Sequence, residues 1–439
     1  MRCYLPIGVC FSSFAAGYRE RHTRALRARH LRFVIGCIIG IGLCAAAVSS
    51  SQEREWRSGI RAALFVPNKL PVLEAKVHGR FHPEPGVIAE RITYTTLLGL
   101  RVPAILYLPE SRKGKIPALI VVNGHGGDKY AWYAFYSGIA YARAGAAVLT
   151  YDPIGEGERN INHESGTRAH DVLQDPPELG RRMGGLMMTD VMQAVSYLAS
   201  RPEVDSRRIA AMGYSMGSFV LSLACAVETR LRACVLVGGG NLDGPDGVWD
   251  RAKPMCQGIP YKSMAFLGDR PAVIYALHAS RGPTLVYNGL QDTTVSIVTH
   301  GPDFFAELHR RTAELRGTQQ GVFEYDFTTG AHRPYFVTKP VVRWLNRQLG
   351  FPNWTDQEIQ AMPTTHISEW AHANGVELDK LYASEDREGG AQAVGIGVPA
   401  LSRDDLSVFP REQWETQKGR MIYEAWLKAA RVQLSPGSR

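Results

Sequence analysis

From residue 116 to residue 349 the chain alternates short, continuously apolar segments with longer amphipathic runs, and few architectures accept that rhythm. The apolar segments are 118–122 (Ala-Leu-Ile-Val-Val), 147–151, 209–212, 233–237, 284–287 and 322–327. Strands that are apolar on both faces must be covered on both sides, which is the condition of a parallel sheet sandwiched by helices. The runs at 131–144, 187–198 and 340–349 supply such helices. Upstream, 57–65 suggests a short helix, and 87–94 and 100–108 read as two strands of a hairpin turning at Leu97, Leu98 and Gly99. The expected fold is therefore α/β, a mostly parallel sheet with helices on both faces and an antiparallel hairpin at one edge. We place this domain at 51–350, after a leader (1–50) and before a C-terminal extension (351–439) that packs on it.

Charge narrows the function classes. The net charge is +8, but residues 1–50 hold seven arginines and a single acid, Glu20, so the body is close to neutral and a nucleic-acid role is set aside. Arginines 19 to 32, an uncharged stretch at 33–48 and small residues after it have the order of a secretory signal. Sixteen uncharged residues are short for a membrane span, which needs about 20. A cleaved signal is favoured over a retained anchor, and either leaves the body exported, periplasmic or secreted. A membrane is a partner only if the leader stays. Cys3, Cys10, Cys37 and Cys44 belong to the leader, while Cys225, Cys234 and Cys256 remain in the body. One disulfide is the maximum there, and Cys225 and Cys234 read better as buried thiols. His163, His170 and Asp171 share a polar loop and read as solvated, so no metal or other cofactor is implied.

The chemistry concentrates in Gly213-Tyr214-Ser215-Met216-Gly217, where a buried strand runs into a helix. In that context G-x-S-x-G is a nucleophile elbow, a sharp turn that lifts the serine above the sheet edge. A serine hydroxyl needs a base, and the base needs a carboxylate to fix its tautomer. His332, in Gly330-Ala331-His332-Arg333-Pro334, follows the last strand, and Asp292, in Gly289-Leu290-Gln291-Asp292, follows the one before. A loop histidine and a turn aspartate are the plain alternatives, with Asp243 and Asp246 as fallback acids. A tetrahedral oxyanion needs two N–H donors, one from Met216 and the other from Gly126 or Gly127 in Asn123-Gly124-His125-Gly126-Gly127-Asp128. His125 reads as a loop organiser. Tyr214 and Arg159 are candidate substrate contacts, although Arg159 could instead pair with Glu156 or Glu158.

Taken together, the G-H-G-G loop, D-P-I-G-E-G-E-R, R-P-E-V-D-S-R-R-I before G-Y-S-M-G, G-L-Q-D-T-T-V and G-A-H-R-P-Y-F resemble the α/β-hydrolase superfamily. Within it the chain is similar to the acetyl xylan esterase and dienelactone-hydrolase-like branches over about residues 85–350. Glucuronoyl esterases carry arginine where this chain has Met216, and dienelactone hydrolases carry cysteine where it has Ser215. The resemblance implies the α/β-hydrolase fold and a serine esterase acting on a small-molecule or carbohydrate ester. A prolyl-oligopeptidase-like peptidase and a non-catalytic binding protein are the alternatives. Between 240 and 283, Trp249, Met255, Pro260 and Tyr261 suit a cap over the pocket. Four tryptophans (Trp354, Trp370, Trp414, Trp426) mark the extension as rings that either anchor it or stack on sugar. Asn353-Trp354-Thr355 fits a glycosylation sequon, relevant only to a eukaryotic secretory route.

Overall fold

The structure is a computed structural model that describes residues 47–172, 176–240, 242, 256–295, 297–378 and 392–434. The leader up to residue 46, Asp243, Asp246, Trp249 and Met255 lie outside the described residues.

The central sheet takes the strands β1 (Lys76–Glu84), β2 (Val87–Thr95), β3 (Arg101–Pro109), β4 (Ile116–Val122), β5 (Ala147–Tyr151), β6 (Val204–Tyr214), β7 (Ala233–Val237), β8 (Thr284–Gly289) and β9 (Glu324–Thr328). Their spatial order is β1-β2-β3-β5-β4-β6-β7-β8-β9. The first three strands and the β3–β5 junction are antiparallel, and every pair from β5 to β9 is parallel. Because β4 is buried along its whole length, its side chains serve two cores in alternation: Ala118, Ile120 and Val122 face one layer, Leu119 and Val121 the other. The first layer contains α1 (Ser50–Ala63), α3 (Pro177–Ser200), α4 (Met216–Val227), α6 (Arg270–Ala279) and α7 (Ile297–Arg316). The second contains α2 (Trp132–Arg143) and α8 (Lys339–Leu349). All twelve residues of α4 are buried, as its mostly apolar sequence favours, and Ser222 Oγ donates to Phe219 O within the helix. Among the described residues no helix is long and apolar enough to cross a membrane.

Two expectations are corrected. The insertion after β7 is not a cap in its second half: α5 (Gly258–Lys262) lies on α3, and α6 is the crossover helix that returns the chain to β8. Pro260 sits against Gly184, and Tyr261 is buried in the core. Cys225 and Cys234 form a disulfide rather than two thiols, because the short connection from α4 to β7 brings both into the same core layer.

Beyond α8 the chain forms small elements that spread over the domain: helices Asp356–Ala361, Ile367–Ala373, Arg411–Gln417 and Tyr423–Val432, and a two-stranded ribbon of Thr364–His366 with Gln392–Val394. Trp370, Trp414 and Trp426 are buried, and the indole N–H of Trp370 donates to Val398 O at 2.8 Å. Stacking on solvent-borne sugar is closed to those three rings.

Candidate active site

Every piece of the site comes from the carboxyl edge of the parallel strands. Ser215 stands between β6 and α4 with φ 52° and ψ −119°, a strained conformation for a residue with a β-carbon. Its own N–H is held by Val237 O at 2.8 Å. The two glycines of the motif are dictated by contact: a Cβ on Gly213 would stand 2.5 Å from Gly217 O, and one on Gly217 would stand 2.2 Å from Val122 O. Backbone meets backbone at both places, so no larger residue fits without moving a strand.

His332 reaches the serine from the loop after β9, with Nε2 2.9 Å from Ser215 Oγ. Its Nδ1 lies 2.7 Å from Asp292 Oδ2, and Asp292 Oδ1 accepts the N–H groups of Thr294 at 2.9 Å and Val295 at 3.1 Å. A carboxylate oxygen can only accept from the ring, so Nδ1 carries the proton and the Nε2 lone pair faces the serine. Asp292 is fully buried, His332 nearly so, and Ser215 is 9% exposed. Met216 opens α4, where an N–H has no partner within the helix. On the β4 loop, Gly127 donates its N–H to Gly124 O at 3.0 Å, and Gly124 donates to Tyr133 Oη at 3.1 Å. Gly127 is thereby spent in a turn, and Gly126 keeps its place as the loop candidate.

Two family profiles match the chain: acetyl xylan esterase (AXE1) over residues 73–237 and the prolyl oligopeptidase family over residues 177–351. Among solved structures, the methylesterase BT1017 superposes with a TM-score of 0.55 at 20% identity, covering 87% of this chain and 73% of that one. The chain has the α/β-hydrolase fold. Of the curated proteins, YtaP of Bacillus subtilis is 29% identical over 161 residues, 33% of this chain and 52% of that protein. Thiohydrolase apmlB of Arthrinium phaeospermum is 26% identical over 150 residues, 34% of this chain and 43% of its own. The chain thus spans about half the length of the curated relatives it matches.

The remaining expected contacts fall elsewhere. Arg159 is fully buried, and its guanidinium is 2.5 Å from Asp190 Oδ2 and 3.2 Å from Asp152 O. It pairs with a carboxylate of α3 rather than with Glu156, Glu158 or a substrate, because the 3-10 turn at 157–159 points it into the core. Tyr214 is also buried, with its hydroxyl donating to His332 O at 3.0 Å and its ring 5.0 Å from the imidazole. It supports the histidine instead of touching substrate. The polar loop is no solvated loop either: His170 is fully buried, and burial pushes its ring down to about 4.

A charged network behind the site joins Lys129 to two acids of the D-P-I-G-E-G-E-R stretch. Lys129 Nζ, fully buried, lies 2.5 Å from Asp152 Oδ2 and 2.8 Å from Glu158 Oε2. Burial alone would lower the ammonium, but the two carboxylates hold it well above its ordinary value. Glu158 also accepts the N–H groups of Val408 at 3.0 Å and Phe409 at 2.9 Å, and its carbonyl accepts from Trp414 Nε1 at 2.9 Å. The D-P-I-G-E-G-E-R stretch is therefore a clasp for the extension. The extension in turn supplies Val376, Glu377, Leu401 and Arg403 to a 440 Å³ cavity bordered by Gly126 and Gly127.

Proposed function

We propose that this chain is an exported serine esterase that cleaves carboxylic esters through an acyl-enzyme. The observation that carries the reading is the continuous relay from Asp292 through His332 to Ser215, at 2.7 Å and 2.9 Å. Ser215 Oγ attacks the ester carbonyl as its proton passes to His332 Nε2. The oxyanion settles against the N–H groups of Met216 and Gly126, each donor worth about 10²–10³ in rate. Collapse of that intermediate expels the alcohol, which takes its proton from Nε2. Water then repeats the sequence on the acyl-serine and releases the acid.

The acetyl xylan esterase profile supports an acetylated carbohydrate as substrate. The leader at 1–50 supports export, as a cleaved signal or a retained anchor. A peptidase reading rests on the prolyl oligopeptidase profile, which covers the serine, acid and base but no preceding domain.

The test offers the full chain p-nitrophenyl acetate, acetylated xylo-oligosaccharide and a proline p-nitroanilide beside Ser215→Ala. We expect ester cleavage that vanishes in the variant and no anilide cleavage. Anilide turnover would replace the esterase reading with the peptidase one, and a folded wild type inert toward every ester would remove both.

A further inference from the structure

We propose that His125, His170, Asp171 and Cys256 form a binding site for a divalent transition-metal ion of the zinc class. The four side chains come from three separated segments, yet one ligand atom from each lies within 4.8 Å of all the others. Two nitrogens, a sulfur and a carboxylate oxygen are the donor set of a tetrahedral zinc site, whose ligand atoms stand roughly 3.3–3.8 Å apart. His125 Nε2 is already 3.0 Å from Asp171 Oδ1 and 3.3 Å from Cys256 Sγ. A contraction of about 1 Å at the widest pair closes the set.

His170 decides the matter between a metal site and an ordinary polar cluster. Its Nδ1 stands 2.8 Å from Ile154 O, an acceptor only, so Nδ1 bears the hydrogen and Nε2 bears a lone pair. That Nε2 is buried and has no hydrogen-bond partner among the described residues. A hydrogen-bonded cluster gives no reason to bury an unspent lone pair, at a cost of about 1–3 kcal/mol. Coordination does give a reason. The outer contacts match as well: a histidine ligand commonly donates its other N–H to a carbonyl, and here Ile154 receives it. Asp171 Oδ1 accepts from Cys256 N at 3.0 Å, and Gln257 Nε2 donates to Cys256 Sγ at 3.4 Å. The His125 and His170 rings lie parallel, 5.6 Å apart with 12° between planes, so both are fixed.

Four protein ligands leave no open position, so the ion is structural and takes no part in ester cleavage. Its effect would be on the loop after β4. His125 immediately precedes Gly126, and the ion ties that loop to the 169–172 turn and to Cys256, which enters α5. The inference does not depend on the esterase reading, since a metal either binds or does not whatever the substrate.

The test uses the full chain with Cys3, Cys10, Cys37 and Cys44 replaced by serine, which leaves Cys256 as the one thiol outside the disulfide. After chelator treatment it is titrated with Zn²⁺ and, separately, with Co²⁺. We expect one ion per chain, a thiolate-to-cobalt charge-transfer band with tetrahedral d–d absorption, and a Tm rise of roughly 3 °C at zinc 100-fold above Kd. His170→Gln and Cys256→Ser should each weaken binding at least 100-fold. Absence of the thiolate band in the wild type overturns the site, as does undiminished zinc binding in both variants. Should a variant fail to fold, the wild-type cobalt spectrum decides alone.

Discussion

Gly238 offers a test of how tightly the histidine is held. It follows β7 directly with φ +63°, and its N–H donates to Asn288 Oδ1 at 2.8 Å. A Cβ built there would stand 2.8 Å from His332 Cε1 and 3.0 Å from Nδ1, where ordinary contact begins at 3.4 Å. In Gly238→Ala the imidazole must therefore retreat by about 0.6 Å or more, since the Cβ is anchored to the backbone. It cannot then keep both 2.7 Å to Asp292 and 2.9 Å to Ser215. A misplacement near 1 Å costs about 10²-fold, so kcat on p-nitrophenyl acetate should fall about 30–100-fold. The left-handed backbone adds about 1–2 kcal/mol of destabilisation, which calorimetry reads as a Tm lower by a few degrees. Gly350→Ala separates the two effects: its φ is +63° with no heavy atom within 4 Å of the new Cβ, so it shares the strain without the collision. Wild-type kcat in Gly238→Ala, or an equal loss in Gly350→Ala, would refute the argument.

Asp292→Asn should fold normally, because the amide oxygen can still accept from Thr294 and Val295, but its NH₂ would face Nδ1 and force the wrong tautomer. Single-turnover kinetics should show a loss on the order of 10⁴ in kcat. Arg159→Met leaves Asp190 buried and unpaired and should lower unfolding free energy by about 3–5 kcal/mol in urea, most of it restored in Arg159→Met with Asp190→Leu. His278 is fully buried between Ser222 O and Thr284, and burial together with Arg281 pushes it down to about 3. A depressed histidine stabilises the fold above the unfolded value near 6.5, and that contribution disappears as pH falls toward 3. The unfolding free energy from urea titrations should drop by about 2 kcal/mol from this group between pH 6.5 and 5, and His278→Gln should flatten that limb.

The sheet was legible wherever burial leaves an unbroken apolar run, from 118–122 through 284–287. The edge strand β1 was not, because Lys-Val-His-Gly-Arg-Phe-His-Pro-Glu is half exposed and carries little apolar content. The serine, acid and base announce themselves through turns at strand ends. The glycines around them are forced by backbone contacts that their spacing implies. Arg159 and Tyr214 were misplaced because a charged or aromatic side chain beside an active-site loop looks the same whether it faces in or out. No local spacing links His125, His170 and Cys256, and only the crossing of three loops brings them together. The disulfide was missed for a similar reason, since Cys225 and Cys234 sit on elements of different type.

The clasp at Glu158 has a consequence during synthesis. Val408, Phe409 and Trp414 leave the ribosome long after Asp152 and Lys129, which lie far upstream in the chain. Until residues 408 and 409 arrive, Glu158 lacks its amide partners and pairs with Lys129 alone. The loop behind the oxyanion position therefore completes its bonding only once residues 408–414 have emerged, and a nascent chain held short of residue 408 is expected to stay inactive with its serine, acid and base already translated.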